Sequence, residues 1–449
     1  QASAAFDAML ARVWTEWAPA PPLSVIEWAE AHRYLSNEES AIKGRYSVDV
    51  TPALRGVLDE VSKPETRKVV VLKSAQVGYT AGVVCNVLGY HVHQRPCVQV
   101  AVFPRAQSAK DFAAEKFDPM VRATPALASR IALKSRAAGN SAQRKHYAGG
   151  LLKLVGANSP SDVKSTSARV LVIEEPDDVS GDVKGQGAAI QLAEERAKSY
   201  DEHLILIGGT PTAKGASAIE AEYLVSDQRQ LHVPCHHCGG SHVLEWEHVK
   251  IPETQTPPRE VYGSHRWEDA YYACPHCGGA WTDEERVANV RRGEWIARAQ
   301  SHVPGFEINE LMSTFAGSRV PILARKYLEA EHALEHGDQG KMIAFWNSSL
   351  ARPWEYRGEL PEEDELRARA EDYAEWTCPA GGLVPLLNVD VQHDRLAVTC
   401  WVVGRAEEMW LSYWGEIHGQ TVVAHQGAWA ELEQMLERTV RHQWGADLP

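Results

Sequence analysis

Short runs of consecutive apolar residues recur through the first half of the chain: Val69 to Leu72, Val98 to Phe103, Leu151 to Val155, Val170 to Ile173 and Leu204 to Ile207. Between them lie stretches with helical spacing, such as residues 106–122. Apolar strands alternating with helices predict an α/β fold, a mainly parallel sheet with helices on both faces. Ligands of such sheets sit at the carboxyl ends of the strands. Residues 1–60 read as mostly helical, interrupted at Pro19 to Pro22 and at Thr51-Pro52. Beyond residue 300 the pattern is mixed, with a charge-laced helix over Ile322 to Gly337 and a linker around Cys378 to Gly382. A new start follows over Leu383 to Gly404: a strand with Asp390 in its middle, a turn at Asp394, and a second hairpin strand from Arg395 to Val403.

The first apolar run breaks into Lys73-Ser74-Ala75-Gln76-Val77-Gly78-Tyr79-Thr80, followed by an Ala- and Val-rich helical segment. Strand, loop and helix form the context of the phosphate-binding pattern GxxxxGK[ST], where backbone amides close on phosphates, a lysine meets the β/γ oxygens and a hydroxyl sits on Mg²⁺. Gly78 and Thr80 fall in that register, but Tyr79 stands in the lysine's place and Lys73 in that of the first glycine. The cation is therefore expected at the front of the loop, with Tyr79 tolerant of Lys and Lys73 intolerant of Ala. A strand-to-helix turn without a ligand has the same local pattern. The fourth run delivers Glu174 and Glu175 to a strand tip, as a Walker B element does: the first carboxylate holds Mg²⁺ through water and the second polarises the attacking water. Acids leaving a strand for solvent are the alternative, and Glu174 replaces the more usual Asp. The fifth run ends Gly208-Gly209-Thr210-Pro211-Thr212, where a hydroxyl can touch the γ-phosphate water; a tight turn is the alternative.

Cysteine usage adds a metal. Four of the eight cysteines form two C-x-x-C pairs, Cys235/Cys238 and Cys274/Cys277, each followed by Gly-Gly. Two such knuckles predict a closed Cys₄ zinc site of structural type, with His236, His237 and His276 as spacers. The remaining cysteines sit singly in apolar contexts, as small core residues do. No apolar run reaches the roughly 18–20 residues of a membrane span, and the N-terminus lacks a signal-peptide layout, so a soluble intracellular protein is the default. Net charge is -14, which argues against a basic coat, yet eight basic residues and the single acid Asp162 occupy residues 130–170. Arg136, Arg144, Lys145 and Lys153 in that stretch are candidate DNA-phosphate contacts, against the alternative of a solvated face.

In this order KSAQVGYT, VLVIEEPDDVSGD with the trailing Glu194-Glu195-Arg196, GGTPT, CHHC, CPHC and NVDVQHDR resemble the large terminase subunit of tailed bacteriophages, lambda-type branch, over roughly residues 25–449. The resemblance implies an ASCE-type P-loop NTPase sheet with an inserted zinc ribbon, followed by a ribonuclease H-like nuclease domain that is cut short. Its expected divisions are a helical N-terminal segment (1–60), ATPase core (61–232), zinc ribbon (233–300), ATPase completion and linker (301–380) and nuclease start (381–449). It implies ATP-driven packaging of double-stranded DNA into a procapsid, with endonuclease cutting of concatemers, in the host cytoplasm. Lys73, Ser74, Ala75, Gln76, Val77, Gly78, Tyr79 and Thr80 would bind ATP, Thr80 and Glu174 Mg²⁺, Glu175 would activate water, and Thr210 would couple hydrolysis to movement. Asp390 would be the first nuclease ligand for Mg²⁺ or Mn²⁺. Implied partners are a small terminase subunit, the portal and further copies of the chain in a ring, with no membrane. The chain begins at Gln1 and stops at Pro449, which reads as a fragment, and no strand-borne acid is expected after Asp390. A helicase-like nucleic-acid ATPase and a non-enzymatic zinc-ribbon DNA-binding protein are the rivals.

Overall fold

The computed structural model describes residues 23–40, 42–133, 139–158, 166–179, 189–356, 367–368, 370–392 and 394–448. The chain divides into a first compact unit ending at Tyr356 and a second formed by the remainder.

The first unit is built on a seven-stranded sheet. Its strands are β1 (Lys68–Lys73), β2 (Val98–Phe103), β3 (Arg144–Tyr147), β4 (Gly150–Gly156), β5 (Val170–Glu174), β6 (Leu204–Gly209) and β7 (Gly305–Ile308). Their spatial order is β7-β1-β6-β5-β2-β4-β3, with every pair parallel except β3 on β4. The continuous apolar runs follow from burial on both faces. On β1, Val69 and Val71 join the core that holds α2 (Cys85–His93) and Trp28 of α1 (Val25–His32), while Val70 and Leu72 join the opposite core with Ile190, Ile219 and Tyr223. α1 starts with a complete capping box, in which Ser24 and Glu27 exchange side-chain and backbone bonds. Its Trp28 fits against Gly89 of α2, where an added Cβ would come within 2.6 Å of the indole.

Residues between β6 and β7 form a small two-sheet insertion carrying the cysteine pairs, and its helix α3 (Asp283–Val290) is capped by Thr282 and Glu285. Arg286 of α3 is 1% exposed and donates to the carbonyls of Leu311, Ser313 and Ser318. The loop it braces follows β7 and sets Phe315 against the segment containing Gly78.

In the second unit β8 (Gly382–Val391), β9 (Arg395–Gly404) and β10 (Met409–His418) form an antiparallel meander, one face of which packs on α4 (Ala428–Leu436) through Leu396, Val398, Ile417 and Leu432. The hairpin turns at Asp394, as its sequence indicates. One expectation needs correction. Asp390 lies exposed on β8, at the edge of this sheet among the described residues, and accepts from Gln392 Nε2 at 2.5 Å. It is not the last acid on a strand: Glu416 of β10 shares its face, both residues standing opposite Ala397 of β9. Among the described residues no helix is long and apolar enough to cross a membrane.

Candidate nucleotide and metal sites

The loop from Ser74 to Tyr79 leaves β1 at the carboxyl edge of the sheet. Ser74 N–H donates to Ile308 O at 2.7 Å and Ala75 N–H to Ser348 O at 2.7 Å, so the front of the loop is anchored by β7 and by the helical segment Phe345–Ser349 far along the chain. Gln76 (φ 58°) and Gly78 (φ 81°) take left-handed backbone. At Gly78 a side chain would also strike Thr51, 2.8 Å from an added Cβ, so the position calls for glycine.

Lys73 is the last residue of β1 and is 6% exposed. Its Nζ lies 2.6 Å from Glu175 Oε1 and 3.4 Å from Thr210 Oγ1. Thr210 N–H donates to the other Glu175 oxygen at 2.8 Å. Three sequence-separated candidates thus meet at the ends of three adjacent strands. Glu175 reaches this position through left-handed backbone (φ 47°, ψ 60°) immediately before Pro176. A non-glycine residue held there is strained, and such strain is concentrated at functional sites. Gly209 makes the turn possible, because an added Cβ would come within 2.8 Å of the Pro176 ring.

Glu174 sits deeper, buried at the end of β5, and Thr80 hydrogen-bonds to its carboxyl. Burial pushes its pKa up to about 8, reinforced by Glu175 and opposed by Lys73 and the Thr80 hydroxyl. Glu174 Oε1 and Ser74 Oγ are buried without hydrogen-bond partners. Unpaired buried oxygens facing a phosphate loop are what a divalent cation and its waters would satisfy, so the donor set of Thr80 and Glu174 fits Mg²⁺.

Tyr79 departs from expectation. It is 2% exposed, its ring occupies the space left by Gly208, where an added Cβ would lie 2.3 Å from the ring, and its hydroxyl has no partner. Lys73 Nζ stands 5.6 Å over that ring. A Tyr79→Lys change would empty the slot and set two ammonium groups side by side, so tolerance of Lys does not follow.

The four Sγ atoms of Cys235, Cys238, Cys274 and Cys277 all lie within 4.8 Å of one another, with Cys235 to Cys277 and Cys238 to Cys274 at 3.9 Å each. Tetrahedral zinc with bonds of about 2.3 Å needs sulfurs roughly 3.8 Å apart, so the cluster fits that ion. The knuckles are built alike: Gly239 (φ 74°) and Gly278 (φ 71°) turn the chain, and the second glycine of each receives the other's histidine, His276 on Gly240 and His237 on Gly279. Those histidines face the backbone carbonyls of Ser241 and Ala280 at 3.3 Å.

The basic stretch is less available than its composition implies. Lys145 is 2% exposed with Nζ 2.8 Å from Asp118, and Lys153 is 4% exposed inside the sheet, so neither offers its charge to a DNA backbone; this corrects their assignment as phosphate contacts. Arg144 alternates outward on β3 and is exposed, and Arg136 lies outside the described residues. Glu194 also stands away from the loop, bonded to Lys68 at the start of β1.

One residue escaped the sequence reading. Asp177 accepts from Thr212 N–H at 3.0 Å, Thr212 Oγ1 at 2.7 Å and Ile219 N–H at 2.8 Å. Its only sequence signal was its place in the acidic run after β5.

Residues 40–295 match the family described as the ATPase domain of the phage terminase large subunit gpA, and residues 303–449 match the endonuclease domain of the same subunit. The second match begins before β7, which structurally completes the first unit's sheet. The chain is 26% identical over 419 residues to the terminase large subunit of Escherichia phage lambda and 25% identical over 416 residues to that of Enterobacteria phage P21. Each alignment covers 87% of this chain and 62% of the relative, so the chain spans under two thirds of their length. The crystal structure of the HK97 bacteriophage large terminase is similar at 12% identity and a TM-score of 0.41, covering 95% of this chain and 74% of that one, a likeness too slight to carry an argument.

Proposed function

We propose, for a chain that belongs to the gpA family of phage terminase large subunits, that its first unit is a DNA-stimulated ATPase powering translocation of double-stranded DNA. The convergence of Lys73, Glu175 and Thr210 at the phosphate-loop edge is the observation that carries the proposal. The strand order supports an ASCE-type sheet, since β6 separates the loop strand β1 from the acid strand β5.

In this reading the loop from Lys73 to Thr80 cradles the ATP phosphates, and Lys73 leaves Glu175 to meet the γ-phosphoryl oxygens. Glu175 accepts a proton from the attacking water as its oxygen bonds to the γ-phosphorus and the bond to the β–γ bridging oxygen breaks, giving ADP and phosphate. Thr80 and Glu174 would hold Mg²⁺, which when bound would supply positive charge against the phosphates. Thr210, bonded to Glu175 through its amide and facing Lys73 through its hydroxyl, registers the change.

Residues 233–300 form a structural zinc ribbon, and the second unit belongs to a ribonuclease H-like nuclease in which Asp390 is a ligand for Mg²⁺ or Mn²⁺. Arg144 and Arg136 remain candidates for gripping DNA phosphates. The expected partners are a small terminase subunit, a portal on the procapsid and further copies of the chain in a ring, working in the host cytoplasm. ATP hydrolysis by the 449-residue chain, measured with and without duplex DNA, tests the proposal: DNA-stimulated turnover is expected, and no hydrolysis in either condition overturns it. Strand separation on a forked duplex would favour a helicase instead.

A further inference from the structure

The loops that follow β5 and β6 are stitched together by two carboxylates only two residues apart. Glu175 holds Thr210 through its amide, and Asp177 holds Thr212 through both amide and hydroxyl on one oxygen and Ile219 N–H on the other. Pro176 between them is buried and rests against Gly209. On its far side Thr212 is also engaged: Thr212 O accepts from Trp354 N–H at 2.7 Å, and Lys214 N–H donates to Trp354 O at 2.9 Å. Thr212 therefore joins the acid loop to the last residues of the first unit.

We propose that Asp177 is a positioning residue for ATP hydrolysis, acting through Thr212 to fix the loop that presents Thr210 to Glu175 and Lys73. The inference rests on the ATPase reading above. Thr210 meets Glu175 with its backbone amide, so its placement depends on the path of the main chain, and the Asp177 clasp begins two residues further on. Without that clasp the loop is held by Thr210 N–H on one side and Trp354 on the other, and the Thr210 donor that orients Glu175 Oε2 is less firmly placed. A carboxylate aimed at water loses rate when its orientation is relaxed, since misplacement by about 1 Å can cost roughly 100-fold. Nucleotide affinity depends on the loop from Lys73 to Thr80, which Asp177 does not touch in any hydrogen bond among the described residues.

A plainer role for Asp177 is to cap the helix Ala218–Leu224 through Ile219 N–H. Thr212→Val separates the two, because it removes the hydroxyl bond and leaves the capping bond in place. Steady-state ATP hydrolysis of Thr212→Val, Thr212→Ser, Asp177→Ala and the Asp177→Ala/Thr212→Val double variant should show kcat lowered about 10- to 100-fold in all but Thr212→Ser. KM for ATP should stay within about threefold of the parent, and the double variant should be no slower than Asp177→Ala, as expected for two ends of one interaction. The inference is overturned if Thr212→Val turns over at the parental rate, or if KM rises in proportion as kcat falls. Glu175→Gln assayed in parallel distinguishes the failures. If it stops hydrolysis while Thr212→Val does not, only the positioning role falls; if it hydrolyses ATP normally, the underlying assignment of the site falls as well.

Discussion

Lys73 Nζ lies 2.6 Å from Glu175 Oε1, a bond that spans the intervening strand β6 to join the ends of β1 and β5. The lysine is neutralised by the very carboxylate proposed to activate water. Phosphate binding would exchange one partner for another and free Glu175, tying base activation to occupancy of the loop. Lys73→Ala is expected to lower kcat/KM for ATP by at least about 100-fold, read from initial rates of phosphate release. Parental rates in that variant would remove Lys73 from the site.

The packing of Tyr79 on Gly208 makes a separate stability prediction. Gly208→Ala forces a methyl into the ring and should destabilise by about 1–3 kcal/mol, whereas Tyr79→Phe deletes only an unpartnered buried hydroxyl and should leave stability unchanged or raised. Chemical denaturation of both variants decides this. A neutral Gly208→Ala would mean that the ring is free to move aside.

Much of this site could be read from the sequence because its parts are local. Lys73 to Thr80, Glu174-Glu175 and the two knuckles each announce themselves within about ten residues, by an apolar run meeting charge or by cysteine spacing. What was hidden depends on contacts between distant segments. The run Leu151 to Val155 marks the strand of Lys153, but nothing near Lys145 reveals that its strand joins the sheet with Asp118 waiting for it. The role of Gly208 and Gly209 emerges only when Tyr79 and Pro176 are set beside them. β7 joins β1 across some 230 residues, a parallel pairing with no local signal. Glu416 was missed as a partner in face to Asp390 because a three-strand register is needed to align both with Ala397.

For the ribbon, metal analysis of the purified chain should find one zinc per molecule. Cys238→Ser should lose it, and chelation should lower the thermal midpoint because a structural zinc site contributes directly to folding. A variant that keeps a full equivalent of zinc would contradict the four-sulfur assignment.

His91 supplies a pH dependence away from the site. It is 7% exposed, its Nδ1 faces Arg95 O at 3.3 Å, and burial pushes its pKa down from 6.5 to about 3, with the nearby Arg95 and Arg169 charges adding to the shift. The folded chain keeps it neutral while the unfolded chain takes up a proton below about 6.5. Its contribution to stability is therefore complete above that pH and is lost as pH falls toward about 3. Denaturant titrations at pH 7 and pH 5 should show a smaller acid loss in His91→Gln than in the parent; equal losses would exclude His91 as a source.

The most direct test of the account is the Glu175→Gln chain, assayed for ATP binding and for hydrolysis. The amide keeps the shape of the side chain but cannot take a proton from water. Binding of ATP with Mg²⁺ at near-parental affinity, together with hydrolysis reduced by at least about 100-fold, is the predicted result. Hydrolysis at the parental rate would contradict the central claim that Glu175 activates the attacking water.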